Sequence, residues 1–217
     1  MPVFVLIAVC FLSGILLRHF KKLPENTHFV LNNFIIYVSL PALIIKSLRT
    51  IPMTGIYFSA ALMPWLIFFG AVFFFLLLER FKVIERQTTI ALILTAGLGN
   101  TSFVGFPVIE ALYGKQFIPV GVIIDEMGTF LVMCLVAIPL ADFLRIGEFN
   151  LHKAIKDLVL FPPMIALVLA FLFQVWRPPE VVFSVSERLG DTLAPLALIS
   201  VGFQWQMNEM KQLTKQI

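Results

Sequence analysis

Asn100, Thr101 and Ser102 lie in a run from Ala96 to Pro107 that also holds Gly97, Gly99 and Gly105, inside a stretch otherwise apolar enough to cross a bilayer. Glycine weakens a helix, and proline removes a donor and crowds the turn before it, so the run reads as a helix broken within the hydrocarbon. Unwound backbone survives at that depth only where it is buried in protein or lines a polar cavity. A break releases up to four N–H and four C=O groups on each side, and the new N-terminus carries partial positive charge. This is chemistry for holding an anion. The Asn100 amide adds two donors and an acceptor without adding a charge, which suits a carboxylate oxygen. The same residues also fit a plainer role, in which Asn100 and Thr101 only satisfy the opened backbone and Gly97, Gly99 and Gly105 only admit close helix packing.

Asp125 and Glu126 are the acids farthest from any loop. Counted at about 1.5 Å per residue from the expected span ends, Asp125 lies roughly 12 Å below one surface and Asn100 roughly 18 Å above the other, the same level in a core of roughly 30 Å. An ionisable side chain inside a membrane is a functional candidate, because burying it is costly unless it is paired or hydrated. Such an acid could carry a coupling proton or bind a cation, or Asp125 could cap the broken helix and stay structural. Glu126, the next residue along a regular helix, is expected to point elsewhere. Pro41 and Pro107 bend or end helices, and Pro41 brings the peptide around Ser39 and Leu40 toward the break.

The elements that must position these groups are membrane spans. Of the 217 residues 59% are hydrophobic and 13% charged, against roughly a quarter charged in soluble domains, and mean hydropathy is +0.95. Twenty-three phenylalanines, some consecutive as in Phe73-Phe74-Phe75, belong against lipid rather than water. A span length of about 17–25 apolar residues gives seven expected spans, at residues 3–18, 27–48, 57–78, 88–112, 117–143, 158–176 and 189–207. The first has neither a charged leader nor a small-residue cleavage site and reads as a retained helix. Placing the N-terminus outside puts eleven of the sixteen Lys and Arg residues, Lys211 and Lys215 among them, on the cytoplasmic side. The formal charge of +3 is thus a topology signal and gives no reason to expect a nucleic-acid partner. Cys10 and Cys134 sit in apolar segments as small hydrophobes, and His19, His28 and His152 have no metal-ligand spacing, so no cofactor or metal is expected.

An internal repeat organises the spans. A shift of 154 residues lays the first span on the sixth and Leu40-Pro41-Ala42-Leu43 on Ala194-Pro195-Leu196-Ala197. Five spans per unit is an odd number, so the second copy is inverted about an axis in the membrane plane. This predicts an all-α membrane protein with a complete first repeat over 1–145 and a second repeat over 154–217 cut after two helices. On the same offset the full pattern closes at roughly 300 residues.

Leu31-Asn32-Asn33-Phe34-Ile35-Ile36-Tyr37-Val38-Ser39-Leu40-Pro41-Ala42-Leu43, Gly99-Asn100-Thr101, Gly105-Phe106-Pro107, Asp125 and Ala194-Pro195-Leu196-Ala197-Leu198 with Gly202 resemble the auxin efflux carrier family in its bacterial and archaeal branch. The resemblance implies ten helices in two inverted five-helix repeats, as in bile-acid sodium symporters, with crossing broken helices. It also implies transport of small organic anions such as malonate or malate. Substrate contacts are then expected at Asn100, Thr101, Pro107, Asp125 and Pro41, in the cell's cytoplasmic membrane, with a proton or cation as coupling partner and a second copy of the chain as a candidate partner. The competing expectations are a non-transporting membrane component, an inactive truncated remnant, or a channel. An intramembrane enzyme would need a nucleophile with a base, facing aspartates, or a His-Glu-x-x-His pattern, and the sequence has none of these.

Overall fold

The computed structural model describes residues 2–49, 55–147 and 151–205. Nine helical elements occupy the described residues: α1 (Pro2–His19), α2 (Thr27–Ser47), α3 (Gly55–Arg80), α4 (Arg86–Tyr113, interrupted), α5 (Lys115–Ile146), α6 (Leu151–Leu160), α7 (Pro162–Val175), α8 (Glu180–Gly190) and α9 (Leu193–Gln204). Among the described residues, the segments long and apolar enough to cross a membrane are Thr27–Ser47, Tyr57–Arg80, Arg86–Tyr113 and Lys115–Ile146, with Val3–His19 and Pro162–Val175 as shorter apolar helices.

The expected sixth span is not one helix. Phe161 stands at φ −73° and ψ 124° between α6 and α7, because a residue that precedes a proline is pushed out of the helical region and Pro162-Pro163 follow. The expected seventh span starts earlier, at Glu180, and turns at Asp191-Thr192 before α9. Its expected end at 207, with Lys211 and Lys215, lies outside the described residues.

Prolines shape the spans more finely than by ending them. Helical turns widened to the π form run over Ile35–Ser39, Thr101–Gly105 and Met133–Ala137, and each stops two residues before a proline, Pro41, Pro107 and Pro139 respectively. A proline ring collides with the carbonyl four residues back, and a turn widened by one residue moves that carbonyl away. A fourth π-helical stretch, Ile124–Phe130 in α5, has no proline two residues after it.

α1 lies along α9, where backbones meet at two glycines. A Cβ at Gly14 would overlap the Ile199 carbonyl oxygen, and one at Gly202 the Phe11 carbonyl oxygen. Small residues let membrane helices approach in this way. The second half of α2 packs on α7 and α8, and its first half on α9. The core is built where these elements meet α4 and α5, with Ile35, Ile44, Phe106, Val122, Ala170, Leu193 and Ala197 buried together. α3 meets the widened stretch of α5, where Gly128 leaves room for Pro64 and the Trp65 indole N–H donates to the Met127 carbonyl at 3.2 Å. Its other face exposes Phe58, Leu66 and Phe73, as a lipid-facing helix does.

Polar contacts join α2 to α8 and α9 in one antiparallel register. The Ser39 and Thr192 hydroxyls share a hydrogen bond of 2.8 Å. Seven residues toward the start of α2, the Asn32 side-chain oxygen accepts from the Ser200 hydroxyl at 2.6 Å. Seven residues the other way, the Lys46 ammonium bridges Glu187 at 3.2 Å and Asp191 at 3.0 Å. Lys46 is thus ion-paired on both sides at the end of α2.

Candidate functional site

The break in α4 lies between Ala96, where the regular helix ends, and Thr101. Gly97 is buried against α3, where a Cβ would stand 3.1 Å from Phe68 and 3.2 Å from Ala71. The close-packing role therefore holds for Gly97. It does not hold for Gly99 or Gly105, whose nearest neighbours would be 3.7 and 3.6 Å from a Cβ. Asn100 begins the second half of the helix, its side-chain oxygen accepting the Phe103 N–H at 3.1 Å. Its backbone-capping role is thus real, and Asn100 also lines the cavity beside it.

Asp125 comes to the break from α5. Its two carboxylate oxygens accept hydrogen bonds from the Thr101 hydroxyl and, at 2.5 Å, from the Ser102 hydroxyl. It is 5% exposed, so one buried acid clasps the start of the second half of α4. The level inferred from residue counting brings Asp125 and the break together in space.

Glu126 faces the same place, contrary to the expectation for the next residue on a regular helix. The π-helical stretch Ile124–Phe130 widens the turn, and both acids line the cavity. Glu126 is 1% exposed, and its Oε2 finds no hydrogen-bond partner among the described residues. Stretches of π-helix recur at functional sites, and this one has no proline to account for it.

The cavity encloses about 270 Å³ between Ile36 and Leu40 of α2, Gly99 to Phe103 at the break, Asp125, Glu126 and Thr129 of α5, and Phe161. Phe130 and Phe161 stack at 4.1 Å on its edge. Among the described residues, no lysine, arginine or histidine lines it. A second space of about 280 Å³ touches Asn100 from the side of Asn32 and Gln204. Of the residues expected from sequence, Asn100, Thr101 and Asp125 are brought together here, whereas Pro41 and Pro107 line neither space and each follows a widened turn. Ser102, Glu126 and Thr129 complete the wall without having been singled out as substrate contacts. The signal for Glu126 and Thr129 was their spacing from Asp125, which acquires meaning only once the turn is widened.

A larger space of about 410 Å³ opens at the end of α2 that carries Lys46. Lys46 and Lys115 stand in it with Glu110, Glu187 and Asp191, Lys115 lying 3.8 Å from Glu110 and 3.9 Å from Asp191. Nearby, Arg49 meets Glu180 through two bonds of 2.6 Å, which hold the Glu180 carboxyl below its ordinary value and the Arg49 guanidinium above its own.

Apolar helices long enough to cross a bilayer, one of them interrupted beside a cavity, define an all-helical, multi-span membrane protein. A family model described as membrane transport protein matches residues 1–213, and the chain belongs to that family, the one that contains the auxin efflux carriers. It is similar to an uncharacterized transporter of Methanocaldococcus jannaschii, 24% identical over 220 residues, covering 97% of this chain and 70% of that protein. It is also similar to an uncharacterized transporter of Methanothermobacter thermautotrophicus, 27% identical over 202 residues, covering 90% of this chain and 65% of that protein. The chain thus spans about two thirds of the length of the curated relatives it matches.

Proposed function

We propose that this chain is a secondary carrier for small organic anions, malonate or malate among them, working by alternating access across the cytoplasmic membrane with its N-terminus outside. The observation that carries this reading is the break in α4, whose Gly99, Asn100, Thr101 and Ser102 line a cavity of about 270 Å³. A cavity of this size is near the lower end of ordinary ligand pockets, as a three- or four-carbon acid requires.

An inverted repeat would supply the mechanism. If a shift of 154 relates the copies, α1 corresponds to α7, and α2 to α8 with α9. The packing of α1 on α9 is then matched by that of α2 on α7. Ser39 and Thr192 lie at the crossing of the related segments, so the Asn32–Ser200 bond and the Lys46 ion pairs become equivalent closures on opposite sides of the membrane. One set opening while the other closes is the motion that alternating access requires.

Uptake of radiolabelled malonate and malate into proteoliposomes tests the assignment. The chain is expected to accumulate one or both, and Asn100→Ala to reduce uptake at least tenfold, corresponding to loss of about 1.4 kcal/mol of anion contact. Uptake unchanged in the variant, or absent from folded parent protein, removes the break as the site of transport.

A further inference from the structure

The anion site of the proposed carrier has an electrostatic problem. Asp125 and Glu126 line the same cavity as Asn100, and among the described residues its lining contains no basic side chain. The two hydroxyl donors on Asp125 compensate one carboxylate. Glu126 remains a buried acid with an unpartnered oxygen, 1% exposed and at the wall of the cavity. An uncompensated charge in such surroundings is costly, and it repels an incoming carboxylate. A proton on Glu126 would remove the charge without giving an entering carboxylate a positive partner. A metal cation takes the lone pair directly.

We propose that Glu126, with Asp125 and the hydroxyls of Thr101, Ser102 and Thr129, forms a sodium site beside the α4 break, and that the bound ion accompanies the anion. The donor set is all oxygen, which selects hard cations over transition metals. One uncompensated carboxylate matches one positive charge. A divalent ion held by two carboxylates away from water would be released too slowly for a carrier that must empty its site each cycle. The widened turn Ile124–Phe130 gains a purpose from this arrangement, since it brings two consecutive acids to one wall. The sodium site rests on the carrier reading for its role in transport, but its occupancy can be measured without any anion.

The test uses the purified full chain in detergent. Thermal unfolding is followed in sodium, potassium, calcium and choline chloride at constant ionic strength and pH, for the parent, Glu126→Gln and Asn100→Ala. Binding of radiolabelled sodium is measured alongside. Sodium is expected to raise the midpoint saturably, by about 5 °C at a hundredfold excess over its Kd, as a ligand specific to the native state does. Potassium and choline are expected to leave it unchanged. Glu126→Gln should lose both the rise and sodium binding while melting in choline no lower than the parent, because it removes a buried charge. Asn100→Ala should keep the sodium response. No sodium-specific rise, an equal rise in Glu126→Gln, or a larger response to calcium would overturn the proposal. If malonate and malate shift the midpoint in no salt while the sodium response stands, the anion reading fails and the cation site survives it.

Discussion

At the scale of single residues, Asp125 is the hinge between the two broken pieces of logic in this molecule, the interrupted α4 and the widened α5. Both its oxygens are taken by hydroxyls from the break, and a hydrogen bond to a charged group contributes about 1.5–3 kcal/mol. Asp125→Ala should therefore lower stability by about 3 kcal/mol, read as a shifted denaturant midpoint, whereas Asp125→Asn, which keeps an acceptor, should lose less than half of that. Equal losses in the two variants would mean that the carboxylate charge, not its acceptor geometry, fixes the break. Asn100, Thr101 and Asp125 are legible in the sequence because polar side chains inside apolar runs have few innocent explanations. Glu126 is not legible, because its direction depends on a local turn geometry that no residue spacing declares. Pairs such as Asn32–Ser200 and Ser39–Thr192 are equally hidden, being separated by 168 and 153 residues and joined only by the fold.

At the scale of elements, apolar length announces the spans from the second to the fifth, and prolines announce where helices change. The sequence does not announce how they change. Pro41, Pro107 and Pro139 are each preceded by a widened turn, while Pro162-Pro163 end a helix outright. Glycine roles divide in a similar way. Gly14→Ala and Gly202→Ala place a methyl group on a facing carbonyl oxygen and are expected to cost about 1–3 kcal/mol each, the range for overpacking. Gly70→Ala has open space around it and should cost nothing or stabilise slightly through better helix propensity. Parallel thermal melts of the three variants check this contrast, and a Gly70→Ala loss as large as the others would point to glycine flexibility rather than close approach. The pair joining Arg49 to Glu180 carries a pH signature. Glu180 titrates below its ordinary 4.5 in the folded chain, so the contribution of the pair is complete above that value and is lost as the pH falls through the lowered native one. The pair is exposed, and its effect is small at neutral pH. The midpoints of the parent and Glu180→Gln should therefore lie close together near pH 7 and converge in acid.

At the scale of the whole molecule, the contacts between α2 and the α8–α9 pair would act as a lever under the alternating access proposed above. Ser39 and Thr192 mark its fulcrum, the Asn32–Ser200 bond lies on one arm, and Lys46 with Glu187 and Asp191 lies on the other. A neutral hydrogen bond contributes about 1 kcal/mol and exposed ion pairs no more than about that, so neither closure would bind the halves strongly enough to prevent exchange. This balance is what a carrier needs and a rigid membrane scaffold does not. It can be tested by locking one arm. In a background where Cys10 and Cys134 are replaced by alanine, Lys46→Cys with Asp191→Cys bridged by a short bifunctional thiol reagent should stop malonate uptake. A disulfide-forming pair at the fulcrum, Ser39→Cys with Thr192→Cys, should leave most of it. Reversal by a reducing agent, with a cleavable reagent at the first pair, separates locking from damage. Uptake that persists with the Lys46 arm locked would show that substrate does not pass through an opening at that end, and the rocking motion would have to be abandoned even if the α4 break still holds the anion.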